Sequence, residues 1–271
     1  MDIKKNVEII ARKRDGRLER IIDILDKKGI NHSVFTYDRG KNIEISFKGE
    51  IDKDIIFFAH HDISSHTDEG ANDNTSSVAA LIELAESLAQ RKPLYNIKIV
   101  FTDNEEALGG LLNGSENLDR LTKIISAVGS FNYLKNVSDK SKIVTIFNLE
   151  LCGIGDSIMI AEYSGRVKSA DRSVIFIENI AKLYNYKYIK TSVTNSDMLS
   201  AHVMGIPGIL IGIIPFSEAQ YYNRSEENIK DMPSVWKNIH SNRDNITAIQ
   251  ERSLVMMYKF LDRVVDNLDK L

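Results

Sequence analysis

The sequence has one cysteine in 271 residues. That excludes an internal disulfide and any cysteine-rich metal cluster, so a metal bound here must be held by nitrogen and oxygen. It has no marked excess of either charge: Lys+Arg 35 and Asp+Glu 38 give a formal net charge of -3 and an isoelectric point near 6.1. Without a global positive field, neither nucleic acid nor an anionic membrane is an expected partner. No apolar run is long enough to span a bilayer, and charges interrupt the short apolar stretches of MDIKKNVEIIARKRDG. No signal-peptide core is read there, and a reduced, cytoplasmic protein is expected. Nor is there an internal repeat, a low-complexity segment or a linker rich in Pro, Gly and Ser, so residues 1–271 are expected to form a single domain. What is present, 43% hydrophobic and 27% charged residues, suits a soluble chain with a sizeable core.

Apolar residues Leu18, Ile21, Ile22 and Leu25 recur at helical spacing and Gly29 follows where a left-handed cap would end the helix. Ile43, Ile45 and Phe47 alternate as in a half-exposed strand, whereas Ile55 to Ala59 form a continuous apolar run suited to burial on both faces. A helix is predicted from Asn74 or Thr75 through Leu88, then a buried strand over 97–101 and a short helix over 118–128. Strands are predicted over 143–149, 157–161, 188–193 and 209–214, and helices over 174–183, 198–203 and 251–268. Alternation of this kind reads as an α/β fold, a three-layer α/β/α sandwich around a central mixed, mostly parallel sheet.

In open α/β sheets ligands bind beyond the carboxyl ends of the strands, so polar residues just after buried strands are the first candidates. IIFFAHHD puts His60, His61 and Asp62 there, and in an H-x-D spacing the carboxylate can accept the second ring N–H of an imidazole whose other nitrogen binds a metal. Read alone, a histidine at a strand end is more often a structural donor or a solvent-exposed residue than a ligand. GANDN supplies Asp73 at a helix start, where an acid is also favoured by the macrodipole. FTDNEE places Glu105 and Glu106 side by side, a pair able to divide cation binding from proton transfer. Glu150 closes the hydrophobic run IFNLE and needs a partner if buried. His240 and Asp244 lie in a polar loop before the last helix.

At these residues the chain resembles metallopeptidase family 28, the di-zinc aminopeptidases. The matching segments are AHHD, GANDN, NEE, FNLE and NIHSNRD, in the family's order; SSVAALIELA and SDMLSAHVMGIPGILIG match supporting segments that carry no metal. The resemblance implies two divalent ions, zinc first and cobalt or manganese as alternatives, with Asp73 bridging both. His60 and Glu150 would complete one ion's ligands, and Glu106 with His240 the other's. Glu105 would be the general base and acid, and Asp62 would orient His60. The implied activity is that of a metallo-aminopeptidase hydrolysing an N-terminal peptide or amide bond, with a small peptide or aminoacyl compound as substrate.

Three departures from the family pattern stand out. Glu150 replaces an Asp and is one methylene longer. Ser196-Asp197-Met198 lacks the histidine of an S-D-H motif, with His202 one turn later. The Gly-Ser that follows the Glu pair has two competitors, Asn113 to Ser115 and Val128 to Ser130; an insertion between them is expected to shape the substrate pocket or a subunit contact in a homo-oligomer. Two other readings stay open: a glutaminyl-cyclase-like acyltransferase with one zinc, suggested by PSVWKNIHSNRDN, and a non-catalytic binding module. Tyr221 and Tyr222 are candidate oxyanion donors. His32 and His66 read as surface residues and Cys152 as core filler.

Overall fold

The computed structural model describes residues 2–106, 125–163, 170–193, 196–221 and 234–271. Two helices open the chain, α1 (Ile3–Ala11) and α2 (Arg17–Lys27), followed by β1 (Ser33–Tyr37), β2 (Gly40–Phe47) and β3 (Ile51–His60). An irregular turn, Ala71–Thr75, leads into α3 (Ser76–Leu88), and β4 (Tyr95–Thr102) follows. Then come α4 (Gly129–Asn136), β5 (Ile143–Glu150), β6 (Ser157–Tyr163), α5 (Ala170–Leu183), β7 (Tyr188–Val193), α6 (Met198–Val203), β8 (Gly208–Ile214), α7 (Ser234–Asn238) and α8 (Glu251–Asp266). No helix among the described residues is long and apolar enough to cross a membrane.

The strands form one eight-stranded sheet in the order β1-β2-β4-β3-β5-β8-β6-β7. Its centre, β4-β3-β5-β8, is parallel, and antiparallel pairings join β1 to β2, β2 to β4 and β6 to β8. The period of two along each strand sorts side chains between two buried layers. Ile55, Phe57 and Ala59 face α1, α2, α3, α5 and α8, and Ile56 and Phe58 face the thinner layer made by α4 and α6. Burial on both faces explains why the central strands read as continuous apolar runs.

The predicted elements correspond to α2, β2 to β8, α3, α5, α6 and α8, with ends displaced by a few residues. Four described elements were not legible in the pattern, among them α7, five residues with one buried side chain, Val235. In α1 the buried Ile3, Val7 and Ile10 do keep helical spacing, but the charges between them hid a segment so short. The edge strand β1 has no fully buried face to impose alternation. Helix α4 starts at Gly129 and Ser130, so the candidate Val128–Ser130 lies at a helix start. The predicted helix over 118–128 and the alternative at Asn113–Ser115 lie wholly or mostly outside the described residues.

Candidate metal centre

The carboxyl ends of the parallel strands β3, β4 and β5 converge on one cluster. His60 ends β3 and Glu150 ends β5; Glu105 and Glu106 follow β4. Asp73 sits in the turn before α3, and His240 in the loop between α7 and α8. His60 Nε2 lies 3.2 Å from Asp73 Oδ1, 3.4 Å from Glu150 Oε2 and 3.9 Å from Glu105 Oε2. His240 Nε2 lies 3.4 Å from Asp73 Oδ2 and 3.1 Å from Glu106 Oε2. Asp73 therefore turns one oxygen to each imidazole, the posture of a carboxylate shared between two donor sets. Those sets, His60 with Asp73 and Glu150, and Asp73 with Glu106 and His240, each have their donor atoms within 4.8 Å of one another. His60 is 1% exposed, whereas the His240 side chain is 46% exposed, so one set is deep and the other opens to solvent.

Two further carboxylates hold the backbone that carries these donors. Asp62 accepts from Glu105 N–H through Oδ1 and from Glu106 N–H through Oδ2, both at 3.1 Å. It also lies 3.4 Å from His60 Nδ1, whose nearer neighbour is the backbone carbonyl of Asp62 itself at 3.2 Å. Asp244 accepts from Asn72 N–H at 2.7 Å and Asp73 N–H at 3.0 Å, tying the His240 loop to the turn that bears Asp73. The Asn74 side-chain amide donates to Leu149 O at 2.7 Å and accepts from Leu151 N–H at 3.3 Å, which fastens the same turn to the end of β5. Three non-glycine residues at the site adopt left-handed backbone: Asn104, φ 61°, just before the glutamate pair, Leu151, φ 58°, just after Glu150, and His240 itself, φ 53°. Asn104 is held there by side-chain bonds to Tyr37 Oη and Arg39 O; such conformations persist only where the surroundings over-determine them.

The electrostatics are those of a cluster with too few cations. Burial pushes the Glu105 carboxyl well above its ordinary value, raises Glu106 and Asp197, and pushes Glu150 up to about 7, neighbouring acids adding to each effect. Burial also opposes ionisation of Asp73, but hydrogen bonds from His240 and His60 outweigh it and hold that carboxyl low. His60 is raised although burial acts against its charge, because Glu150, Glu105, Asp62 and Asp73 surround it. Contacts with Asp73 and Glu106 carry His240 up to about 10. The two imidazoliums thus occupy the electrostatic place of metal cations, and their protons are those that a metal would displace. Imidazole and carboxylate without thiolate suit zinc or a similar divalent ion. Glu106 Oε1, buried and without a hydrogen-bond partner among the described residues, is a further free donor.

Every residue singled out as a ligand in the sequence falls in this cluster, together with Glu105 and Asp62. Asp244 was seen only as a neighbour of His240; its role follows from a loop path that spacing does not encode. Asp197, fully buried, accepts from Thr102 Oγ1 at 2.5 Å, while His202 belongs to none of the donor groups. His61 turns away and its Nε2 meets Lys41 O at 2.9 Å. His66 is exposed as expected, whereas His32 is half-buried with Nδ1 at 3.1 Å from Ile30 O. Cys152 is buried and accepts from Ser77 Oγ. The Tyr221 side chain and Tyr222 lie outside what is described.

Among solved structures the chain is similar to a glutaminyl cyclase from Bacteroides thetaiotaomicron bound to N-acetylhistamine, with 22% identity, a TM-score of 0.73 and coverage of 98% of this chain and 95% of that one. It is similar to a leucine aminopeptidase precursor from the same organism, with 21% identity, a TM-score of 0.72 and coverage of 98% and 94%. A zinc aminopeptidase from Bacillus subtilis shares 18% identity with a TM-score of 0.63; 84% of this chain is covered, but it spans only 50% of that protein. At these identities the likeness establishes the fold. No curated protein matches. The profile of peptidase family M28 matches residues 42–265, most of the chain and every donor described above, and the chain belongs to that family.

Proposed function

We propose that this protein is a metal-dependent exopeptidase, an aminopeptidase that removes the N-terminal residue of a small peptide or hydrolyses an aminoacyl amide. The observation that carries the reading is the pair of three-donor sets sharing Asp73, one completed by His60 and Glu150 and the other by Glu106 and His240. Two zinc ions held there, with cobalt or manganese as alternatives, would polarise the scissile carbonyl and make water acidic enough to attack it near neutral pH.

The chain's own residues do the remaining work. Glu105 is the general base: a carboxylate oxygen takes the proton of the attacking water and later returns it to the departing nitrogen, as the C–N bond breaks and the new acid keeps the water oxygen. Asp62 positions Glu105 and Glu106 through their backbone N–H groups and His60 through Nδ1. Asp73 and Glu150 lie beside His60 Nε2, the nitrogen that would bind the ion they share.

A second reading, a glutaminyl cyclase working with one ion, is favoured by Glu150. Its carboxyl, pushed up to about 7 and receiving a hydrogen bond from Asn148 at 3.1 Å, competes poorly for a second ion while protonated. The test is elemental analysis of the purified chain combined with two assays, release of free amino acid from aminoacyl amides and ring closure of an N-terminal glutaminyl peptide, each with and without zinc, cobalt or manganese. Two ions per chain with amino-acid release is the expected outcome. One ion with ring closure and no release would establish the cyclase instead.

A further inference from the structure

Arg17 is buried at 5% exposure in the first turn of α2, outside the region matched by the family profile. Both circumstances oppose a cation there: burial removes its water, and the helix N-terminus already carries partial positive charge. Among the described residues no carboxylate oxygen lies within ion-pair distance of it. Its guanidinium instead spreads three donations over a segment that runs from just after His60 to just past Asp73: Nε to His61 O at 2.7 Å, Nη1 to Glu69 O at 2.8 Å and Nη2 to Thr75 Oγ1 at 2.5 Å. Thr75 passes the constraint on by donating to Gly70 O at 2.6 Å. Arg14 grips the middle of the same segment at Ser64 O, Thr67 O and Ile63 O. The acids whose charge favours the buried guanidinium are Asp62, Asp244 and Asp73, all members of the metal centre.

We propose that Arg17 is a positioning residue of the metal centre: it fixes residues 61–75 so that His60 and Asp73 hold their donor atoms at binding distance, and its charge complements Asp62, Asp73 and Asp244. The inference rests on the metal-binding reading above. It implies that the helical pair preceding the family region is part of the catalytic apparatus. Arg20 supplies the contrast. One turn along the same helix, it donates to the carbonyls of Ile10, Lys13 and Asp15, within the opening pair, and does not reach the ligand segment.

The test uses the full chain with zinc alone as probe, its affinity measured by competition with a chromogenic chelator, and amide hydrogen exchange over 61–75 in metal-free protein. Arg17→Gln is expected to weaken zinc binding by about 10- to 100-fold, the range for outer-shell groups that orient ligands, and to speed exchange in 61–75. Arg17→Lys keeps the charge without the fork and should lose less affinity. Arg20→Gln should lower Tm yet bind zinc as the wild type does. The proposal is overturned if Arg17→Gln behaves like Arg20→Gln, less stable but with unchanged zinc affinity. Should Arg17→Gln not fold, Arg17→Lys decides, and wild-type affinity with wild-type exchange in it would be equally fatal. A wild-type chain that binds no zinc would instead defeat the metal reading itself, and this inference with it.

Discussion

At the amino ends of β3, β4 and β5, Asp52 accepts from Lys48 at 2.9 Å and Lys142 at 2.6 Å, and Asp54 meets Lys98 at 2.8 Å and the Asn96 amide at 2.9 Å. At the carboxyl ends of the same strands, Glu105, Glu106, Glu150, Asp62, Asp73, Asp197 and Asp244 share two imidazoles and the more remote Arg17. The first cluster brings its own ammonium groups, and Asp52 is exposed and held below its ordinary value by Lys142 and Lys48. The second is buried, and burial raises most of its acids. Acidic residues alone therefore do not mark a metal site. The mark is a buried set of donors whose charge the protein leaves uncompensated, because only an added cation can ionise all of them together.

The largest effect should come from removing the shared donor. Asp73→Ala takes one carboxylate from both sets, so zinc retention at both positions, and with it turnover, should be lost; His240→Ala should empty mainly the solvent-facing set. Metal content of the dialysed variants checks this, and two tightly held ions in Asp73→Ala would exclude a bridge. Next comes Glu105→Gln, which preserves size but removes the base. Turnover should drop by about 10²–10⁴-fold with zinc content nearly intact. Loss of metal in that variant would make Glu105 a ligand, and unchanged turnover would place proton transfer elsewhere.

The contrast in protonation can be sharpened by pH. Glu150 is pushed up to about 7 and His240 to about 10, so at neutral pH zinc must displace protons to bind. Raising pH removes that competitor. Apparent zinc affinity should rise by about tenfold per pH unit for each proton released, measured by chelator competition between pH 6 and 8; a flat profile would show that the donors are already deprotonated. Asp244→Asn should do less. One carboxamide oxygen remains to accept from Asn72 or Asp73, but its NH2 opposes the other N–H, so zinc affinity should fall by about tenfold. Smallest of all, Asp52→Asn at the opposite end of the sheet should leave zinc binding and turnover unchanged, since exposed ion pairs contribute little and none of this cluster reaches the donors.

Much of this was open to a reading of residues alone because the central strands are buried on both faces and their apolar runs end abruptly in polar residues. Burial dictates the run, and the end of the run exposes His60, Glu105 and Glu150 at the one edge of a parallel sheet where loops can converge. The order of the motifs along the chain then named the donors. What spacing carries poorly is whatever depends on a loop's path or on an element with no buried face. Edge strand β1 is such an element. Asp244 is another case, four residues after His240 in an unremarkable polar loop, where the fold alone brings its carboxylate under the backbone of Asp73.

Residue identity and periodicity were thus sufficient to specify most of the strands and the helices packed on them, because burial imposes its period on the primary structure, while the donors were named by the order of motifs that the chain shares with a family. The tertiary structure alone decided which oxygen of Asp73 faces which histidine, that Asp62 grips two glutamate N–H groups, and that an arginine from the opening helices reaches the ligand segment. Those are contacts between residues far apart in the chain, and their geometry is set by packing, which no local pattern records.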